Sequence, residues 1–262
     1  MPELPDVEVF REYLDRTALH QAVESVGVSV PEILADISPE ELQSQTNGHQ
    51  FVSTGRHGKY LFARLSDDDW LVFHFGMTGY FSYFKDSKKA PKHTRVLFGF
   101  DNDYQLAFIL QRKLGKIFVA RDIDDFIKQQ GLGPDALDEN FNAEDFKKTL
   151  KETTSSLKSA LMDQARIAGI GNIYSDEILF QARLNPKARA NQMGNQELDR
   201  LFRAMRDVLK TAIDSEADPG RMPKTYLLPH REKDGKCPVC HGKINTTKVS
   251  GRSAYFCPKC QS

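Results

Sequence analysis

Four cysteines, all within the last 26 residues of this 262-residue chain, constrain its folding more than any other feature. They fall as Cys237-Pro-Val-Cys240 and, after 16 intervening residues, Cys257-Pro-Lys-Cys260. Two Cys-x-x-Cys knuckles at this distance point to four thiolates around one structural Zn²⁺ rather than to disulfides. A closed ligand set of this kind builds a fold and leaves no position open for catalysis. Residues 243–248 and 254–256 have strand texture, with Ser250-Gly251-Arg252-Ser253 as the turn between them. The expectation is a metal-stapled β-hairpin with Arg252 at its tip, where a guanidinium is well placed to fork onto a phosphate.

The same end is basic. Residues 218–262 hold nine Lys/Arg against three acids, a surplus of six positive charges. The whole chain balances 36 against 36, so residues 1–217 carry six net negative charges. A basic tail on an acidic body predicts a local polyanion contact rather than a uniformly adhesive surface. No apolar run approaches the ~18 residues of a membrane span, and the N-terminus lacks a basic-then-apolar signal pattern. A cytoplasmic protein without a membrane partner is expected.

The opening Met1-Pro2-Glu3-Leu4-Pro5-Asp6 carries chemistry of its own. Removal of Met1 would leave Pro2 with a secondary amine, which can attack an aldehyde-like carbon and form an iminium. Glu3 beside it could shuttle the proton. Asp6 reads as a helix cap, with Val7, Phe10 and Leu14 at helical spacing, so a helix over 7–18 is predicted. From 23 to 120 the texture is β. Short aromatic and branched segments at 51–52, 60–62, 70–75, 80–84, 95–100, 104–110 and 116–120 are separated by turn residues, as in a sandwich or barrel. Beyond Asp122 helices are predicted over 143–153, 157–168, 173–182 and 195–215, followed by a linker over 216–236. Gly169-Ile170-Gly171-Asn172 lies between two of these helices. It would place Asn172 at a helix N-terminus that offers backbone N–H groups to an anion.

These stretches occur in a fixed order together with Gly58-Lys59-Tyr60, His74-Phe75-Gly76-Met77-Thr78-Gly79, Arg112 and a segment running from Lys158 to Glu177. The combination resembles the formamidopyrimidine-DNA glycosylase / endonuclease VIII family of base-excision repair enzymes, over essentially the whole chain. What the resemblance implies is an α+β fold in three parts. These are a catalytic β-sandwich with an N-terminal helix over 1–122, a helical helix–two-turns–helix DNA-binding domain over 123–223, and a zinc finger over 224–262. It implies a monomeric, bacterial-type, nucleoid-associated enzyme acting on damaged double-stranded DNA. Such an enzyme excises oxidised bases and nicks the strand by β,δ-elimination. Pro2 would be the nucleophile, Glu3 the general acid/base, and Lys59 a phosphate contact that assists catalysis. His74, Asn172 and Arg252 would hold the backbone around an extruded nucleotide, while Met77, Arg112 and Leu114 would fill the hole it leaves. The alternative on the same fold is a non-catalytic lesion- or structure-specific DNA-binding protein.

Three departures from the family pattern bear on specificity. Asp6 stands where Glu is usual. Leu114 stands where the formamidopyrimidine branch has a stacking Phe. The run after the last long helix lacks that branch's Gly-Thr-Thr-rich stretch, which leans the expected substrate toward formamidopyrimidines or oxidised pyrimidines.

Overall fold

In the computed structural model, which describes residues 1–85 and 90–261, the β-textured region forms two four-stranded antiparallel sheets. The strands are β1 (Val23–Val28), β2 (Phe51–His57), β3 (Tyr60–Leu65), β4 (Trp70–His74), β5 (Tyr80–Phe84), β6 (Thr94–Phe100), β7 (Gln105–Ile109) and β8 (Lys116–Ala120). Their orders are β1-β6-β7-β5 and β2-β3-β4-β8. Inward residues of both sheets make one core, in which the Phe73 ring lies 5.1 Å from Phe81, 5.5 Å from Phe108 and 6.3 Å from Phe98, all edge to face. Such pairs add about 0.5–1.5 kcal/mol each beyond the area they bury.

The central strands β3 and β4 are buried on both faces because side chains alternate along them. Leu61, Ala63, Leu71 and Phe73 enter the sandwich core, whereas Phe62 and Val72 enter a second small core with Phe126. Phe126 belongs to α3 (Ile123–Gln129), a helix the apolar pattern did not reveal, capped by the Asp122 carboxylate on Asp125 N–H. A second unanticipated helix, α2 (Pro39–Thr46), carries a complete capping box: Ser38 bonds Glu41 N–H, and Glu41 returns to Ser38 N–H. Its Ser-Pro-Glu-Glu start is a helix signal inside a region whose texture otherwise predicts strands.

The predicted first helix is α1 (Leu4–Thr17). It begins ahead of Asp6, which therefore sits in the first turn and is not the cap. The chain divides into two compact units, Met1–Pro2 with Asp6–Gln130, and Glu3–Pro5 with Gly131–Ser262.

The second unit holds α4 (Ala143–Lys151), α5 (Leu157–Met162), α6 (Asn172–Gln181) and α7 (Asn195–Asp214), then the hairpin β9 (Asn245–Val249) and β10 (Arg252–Phe256). The stripe Leu198, Leu201, Met205, Val208, Leu209 and Ala212 of α7 lies in its core, as its spacing predicts. Helix α5 stops at Met162 rather than running to 168. The Gln164 side chain takes over backbone groups there, donating to Met162 and Ile170 carbonyls at 2.8 Å each and accepting from Gly169 N–H at 3.0 Å. Gly169 has φ +112°, and the Leu4 side chain occupies the space a Cβ there would need. The expected linker is fastened: it contains 3-10 turns at Pro219–Arg221 and Leu228–His230, with Leu227 and Leu228 buried. No described helix is long and apolar enough to cross a membrane. The result is a mixed α+β protein of β-sandwich, helical and hairpin parts.

Candidate active-site residues and the zinc centre

The anion that occupies the predicted helix N-terminus is the chain's own Glu3. Its side chain is buried in the second unit, and Oε2 accepts from Gly171 N–H at 2.7 Å and Tyr174 N–H at 3.2 Å. Oε1 accepts from Ile173 N–H at 2.8 Å. Three donors that α6 cannot satisfy internally thus converge on one carboxylate, where the helix dipole also favours negative charge. Gly171 is required here, since a Cβ would stand 2.5 Å from Glu3 Oε1. Asn172, the first residue of α6, is the predicted contact beside this cradle. Its side-chain Oδ1 is buried with no hydrogen-bond partner.

Lys59 sits in a two-residue hairpin loop between β2 and β3. Gly58 takes φ +56°, the glycine-first pattern of a type II′ turn. Arg56 braces that turn: it donates to Glu8 of α1 at 2.7 Å and to the Gly58 carbonyl at 3.3 Å. His74 ends β4, and its ring packs 5.0 Å from that of Tyr60. Burial, with the Lys59 charge adding to it, pushes the imidazole down to about 4. His74 is therefore neutral near pH 7, and its ring can donate a hydrogen bond without carrying a positive charge.

Met77, Arg112 and Leu114 stand on two loops that touch backbone to backbone. A Cβ on Gly76 (φ +61°) would lie 2.6 Å from the Leu114 carbonyl carbon and from Gly115 N, and one on Gly115 would lie 2.8 Å from the His74 carbonyl oxygen. Arg112 N–H donates to Thr78 Oγ1 at 3.3 Å, and its guanidinium reaches Met77 Sδ at 3.1 Å. Met77 is 37% and Leu114 51% exposed, among the few large apolar side chains of the described residues that stand exposed.

The four cysteine sulfurs lie within 4.8 Å of one another, with Cys237 Sγ to Cys260 Sγ at 3.8 Å and Cys240 Sγ to Cys257 Sγ at 3.5 Å. Zn–S bonds of about 2.3 Å in a tetrahedron separate sulfurs by about 3.8 Å, so the set fits one structural zinc. The hairpin turn is tighter than predicted. Ser250 (φ +47°) and Gly251 (φ +75°) form a two-residue loop, and Arg252 is the exposed first residue of β10, paired with Val249.

Residues 1–117 match the family model described as the formamidopyrimidine-DNA glycosylase N-terminal domain, and 132–222 match its H2TH domain. Residues 235–262 match the zinc finger found in FPG and IleRS. The chain belongs to the formamidopyrimidine-DNA glycosylase family. It is 36% identical over 273 residues to the formamidopyrimidine-DNA glycosylase of Pelotomaculum thermopropionicum, covering 100% of this chain and 99% of that one. It is 31% identical to the protein of the same name from Listeria monocytogenes, over the full length of both. The Lactococcus lactis Fpg solved with abasic-site DNA superposes with a TM-score of 0.90 at 28% identity, over 99% of each chain. The same bacterial enzyme with a FAPY-dG DNA gives a TM-score of 0.91.

Within this family fold, the buried charges of the helical unit escaped sequence reading. Lys158 and Asp176 are both fully buried and bonded at 2.5 Å. Lys158 also donates to the Asn172 carbonyl and to Ser175 Oγ, each at 3.0 Å. Burial raises the Asp176 carboxyl and lowers the Lys158 amine, each opposed by the other's charge. Glu177 accepts Leu227 N–H at 3.1 Å and Leu228 N–H at 2.7 Å. Both acids lie inside Ser175-Asp176-Glu177, a run that reads from sequence as an ordinary polar helix face.

Proposed function

We propose that the protein is a bifunctional DNA glycosylase and abasic-site lyase for oxidised bases, with Pro2 as its nucleophile. The family matches support the glycosylase. The observation that carries the finer reading is the Glu3 cradle, because it fixes a carboxylate one residue from the Pro2 nitrogen. With Met1 removed, the Pro2 amine attacks C1′ of the damaged nucleotide and the base departs with a proton. The C1′–O4′ bond of the resulting aminal then opens, O4′ taking a proton, to give an iminium that acidifies C2′–H, and loss of that proton expels the 3′ phosphate. A second elimination expels the 5′ phosphate. The three N–H donors fix the Glu3 carboxylate in one orientation beside the Pro2 nitrogen, and proton transfer in these steps is assigned to it. A base in the stack hides C1′, so the nucleotide must be extruded.

The remaining roles follow the chemistry of each group. Lys59, at a braced turn, contributes a flexible cation to a flanking phosphate. Neutral His74, Asn172 and Arg252 hold the backbone, and Met77, Arg112 and Leu114 enter the vacated space. Residues 1–122, 123–223 and 224–262 divide these tasks as catalytic, helical and zinc-finger parts.

The test is borohydride trapping on an abasic-site duplex, after mass spectrometry confirms that Met1 is gone. A covalent adduct is expected, and Pro2→Gly should lose most strand cleavage while still binding. Absence of an adduct with the native protein would falsify the lyase. Normal cleavage by Pro2→Gly would move the nucleophile to another amine.

A further inference from the structure

Asp176 collects more of the second unit than a buried ion pair requires. Its Oδ1 faces Lys158. Its Oδ2 accepts from Arg231 Nε at 2.9 Å, lies 2.8 Å from Arg231 Nη2, and accepts from the backbone N–H of Tyr255 at 3.2 Å. Arg231 comes from the supposed linker. It stacks 4.5 Å over the Tyr255 ring and reaches the Asn172 carbonyl at 3.4 Å. Tyr255 is on β10, three residues from Arg252. Asn172 is one turn from Asp176 on α6. One carboxylate therefore bonds the helix that begins with Asn172, the segment that enters the zinc hairpin, and the strand that carries Arg252.

A second tie holds the other side of Arg252. At the hairpin turn, Ser250 Oγ lies 2.7 Å from Ser159 Oγ of α5. Arg252 is thus bracketed by anchors at Ser250 and Tyr255, while its own side chain stays exposed. A long cation on an isolated two-stranded ribbon would lose much of its binding energy to immobilisation, since such a ribbon is marginally ordered by itself. The zinc fixes the base of the hairpin, and the Asp176 node fixes its strand against α6.

We propose that Arg231, through Asp176 and Tyr255, is a positioning residue that holds Arg252 of the zinc hairpin for its phosphate contact. This rests on the proposed role of Arg252 in DNA binding. Arg231 itself touches no DNA, since its guanidinium is committed to Asp176, Asn172 and the Tyr255 ring. Lysine cannot replace it: a point charge lacks the fork that reaches a carboxylate and a carbonyl while stacking on a ring.

The experiment measures the slope of log Kd against log salt for a duplex carrying a tetrahydrofuran abasic analogue. It uses the zinc-loaded full chain and the variants Arg252→Ala, Arg231→Lys and the double variant, with zinc content and melting temperature recorded for each. Arg252→Ala should lower the slope magnitude by about 0.9, one phosphate contact. Arg231→Lys keeps its positive charge and should lower the slope by a similar amount at one zinc per chain, and the double variant should fall no further. A normal slope for Arg231→Lys, with only a lower melting temperature, would reduce Arg231 to a structural brace and overturn the proposal. An additive loss in the double variant would also overturn it, making Arg231 a direct contact. If Arg252→Ala alone leaves the slope unchanged, the phosphate role of Arg252 fails, and the positioning role falls with it.

Discussion

In the β-sandwich unit, the residues proposed to enter DNA stand exposed on loops over an apolar floor. In the helical unit, the proposed phosphate contacts stand at helix and hairpin ends wired to buried charge. Met77 and Leu114 need only a rigid base, which Gly76 and Gly115 provide by letting two backbones touch. Asn172 and Arg252 depend on Lys158, Asp176 and Arg231, none of which need meet a ligand. Rigidity achieved by packing tolerates change at the tip. Rigidity achieved by paired charge fails as a unit when one partner goes, because the survivor is left buried and uncompensated.

The largest effect should follow from Lys158→Met. It leaves the buried Asp176 facing only Arg231 and a backbone N–H, and should cost about 3–5 kcal/mol in urea unfolding. A loss below about 1 kcal/mol would mean that water reaches Asp176, and the distinction between the two units would collapse.

A smaller effect is a pH dependence unique to the helical unit. Burial pushes the Glu177 carboxyl up to about 7, although Gln181 and the Leu227 and Leu228 N–H groups all donate to it. Its folded pKa is thus raised above the unfolded value of 4.5. The folded chain then binds more protons between these values, so stability falls as pH rises from about 4.5 to 7 and levels off above. The full change is roughly 3 kcal/mol. Glu177→Gln should remove this contribution, read as the difference between variant and native chain in the change of unfolding free energy from pH 5 to 8. His74 acts with opposite sign in the other unit. Its pKa is lowered from 6.5, so stability is lost as pH falls from 6.5 toward 4.

For the sandwich loops, Gly76→Ala tests whether backbone contact sets the wedge. A Cβ at φ +61°, 2.6 Å from the Leu114 carbonyl carbon, should cost about 1–3 kcal/mol and slow excision by displacing Leu114. Unchanged excision with reduced stability would show that the loop position does not matter to the reaction.

The sequence disclosed the parts whose signal is local. Four cysteine positions implied a tetrahedral site, and the 3.6-residue stripe of α7 and the alternation of most strands located the two main cores. Pro2 and Glu3 are proposed from amine chemistry joined to the family resemblance. What remained hidden depends on tertiary partners. Nothing in Met1–Asp6 says that Glu3 caps a helix 170 residues away, which is why Asp6 looked like the cap of its own helix. The Asp176–Arg231 pair spans 55 residues through a segment read as a free linker, and charge alone cannot show which acids will be buried. Helices α2 and α3 were missed for another reason: their caps were legible, but a β-rich neighbourhood outweighed them.

The smallest expected change in stability is the one most telling for function. Leu114 is half exposed and Met77 more than a third, so neither contributes much to folding. Leu114→Ala should alter unfolding free energy by no more than about 0.5 kcal/mol, the range of surface substitutions. A large apolar side chain held in water by a pinned loop has no reason in stability to be there, whereas a wedge that replaces a stacked base does. Excision of a stacked lesion should therefore slow in Leu114→Ala, while cleavage of a pre-formed abasic site, which has lost its stacked base, should change less. Equal slowing on both substrates would place Leu114 in general DNA binding. A drop in stability of more than 1 kcal/mol would return it to the apolar core, and the unit would then lose the exposed tip that sets it apart from the helical one.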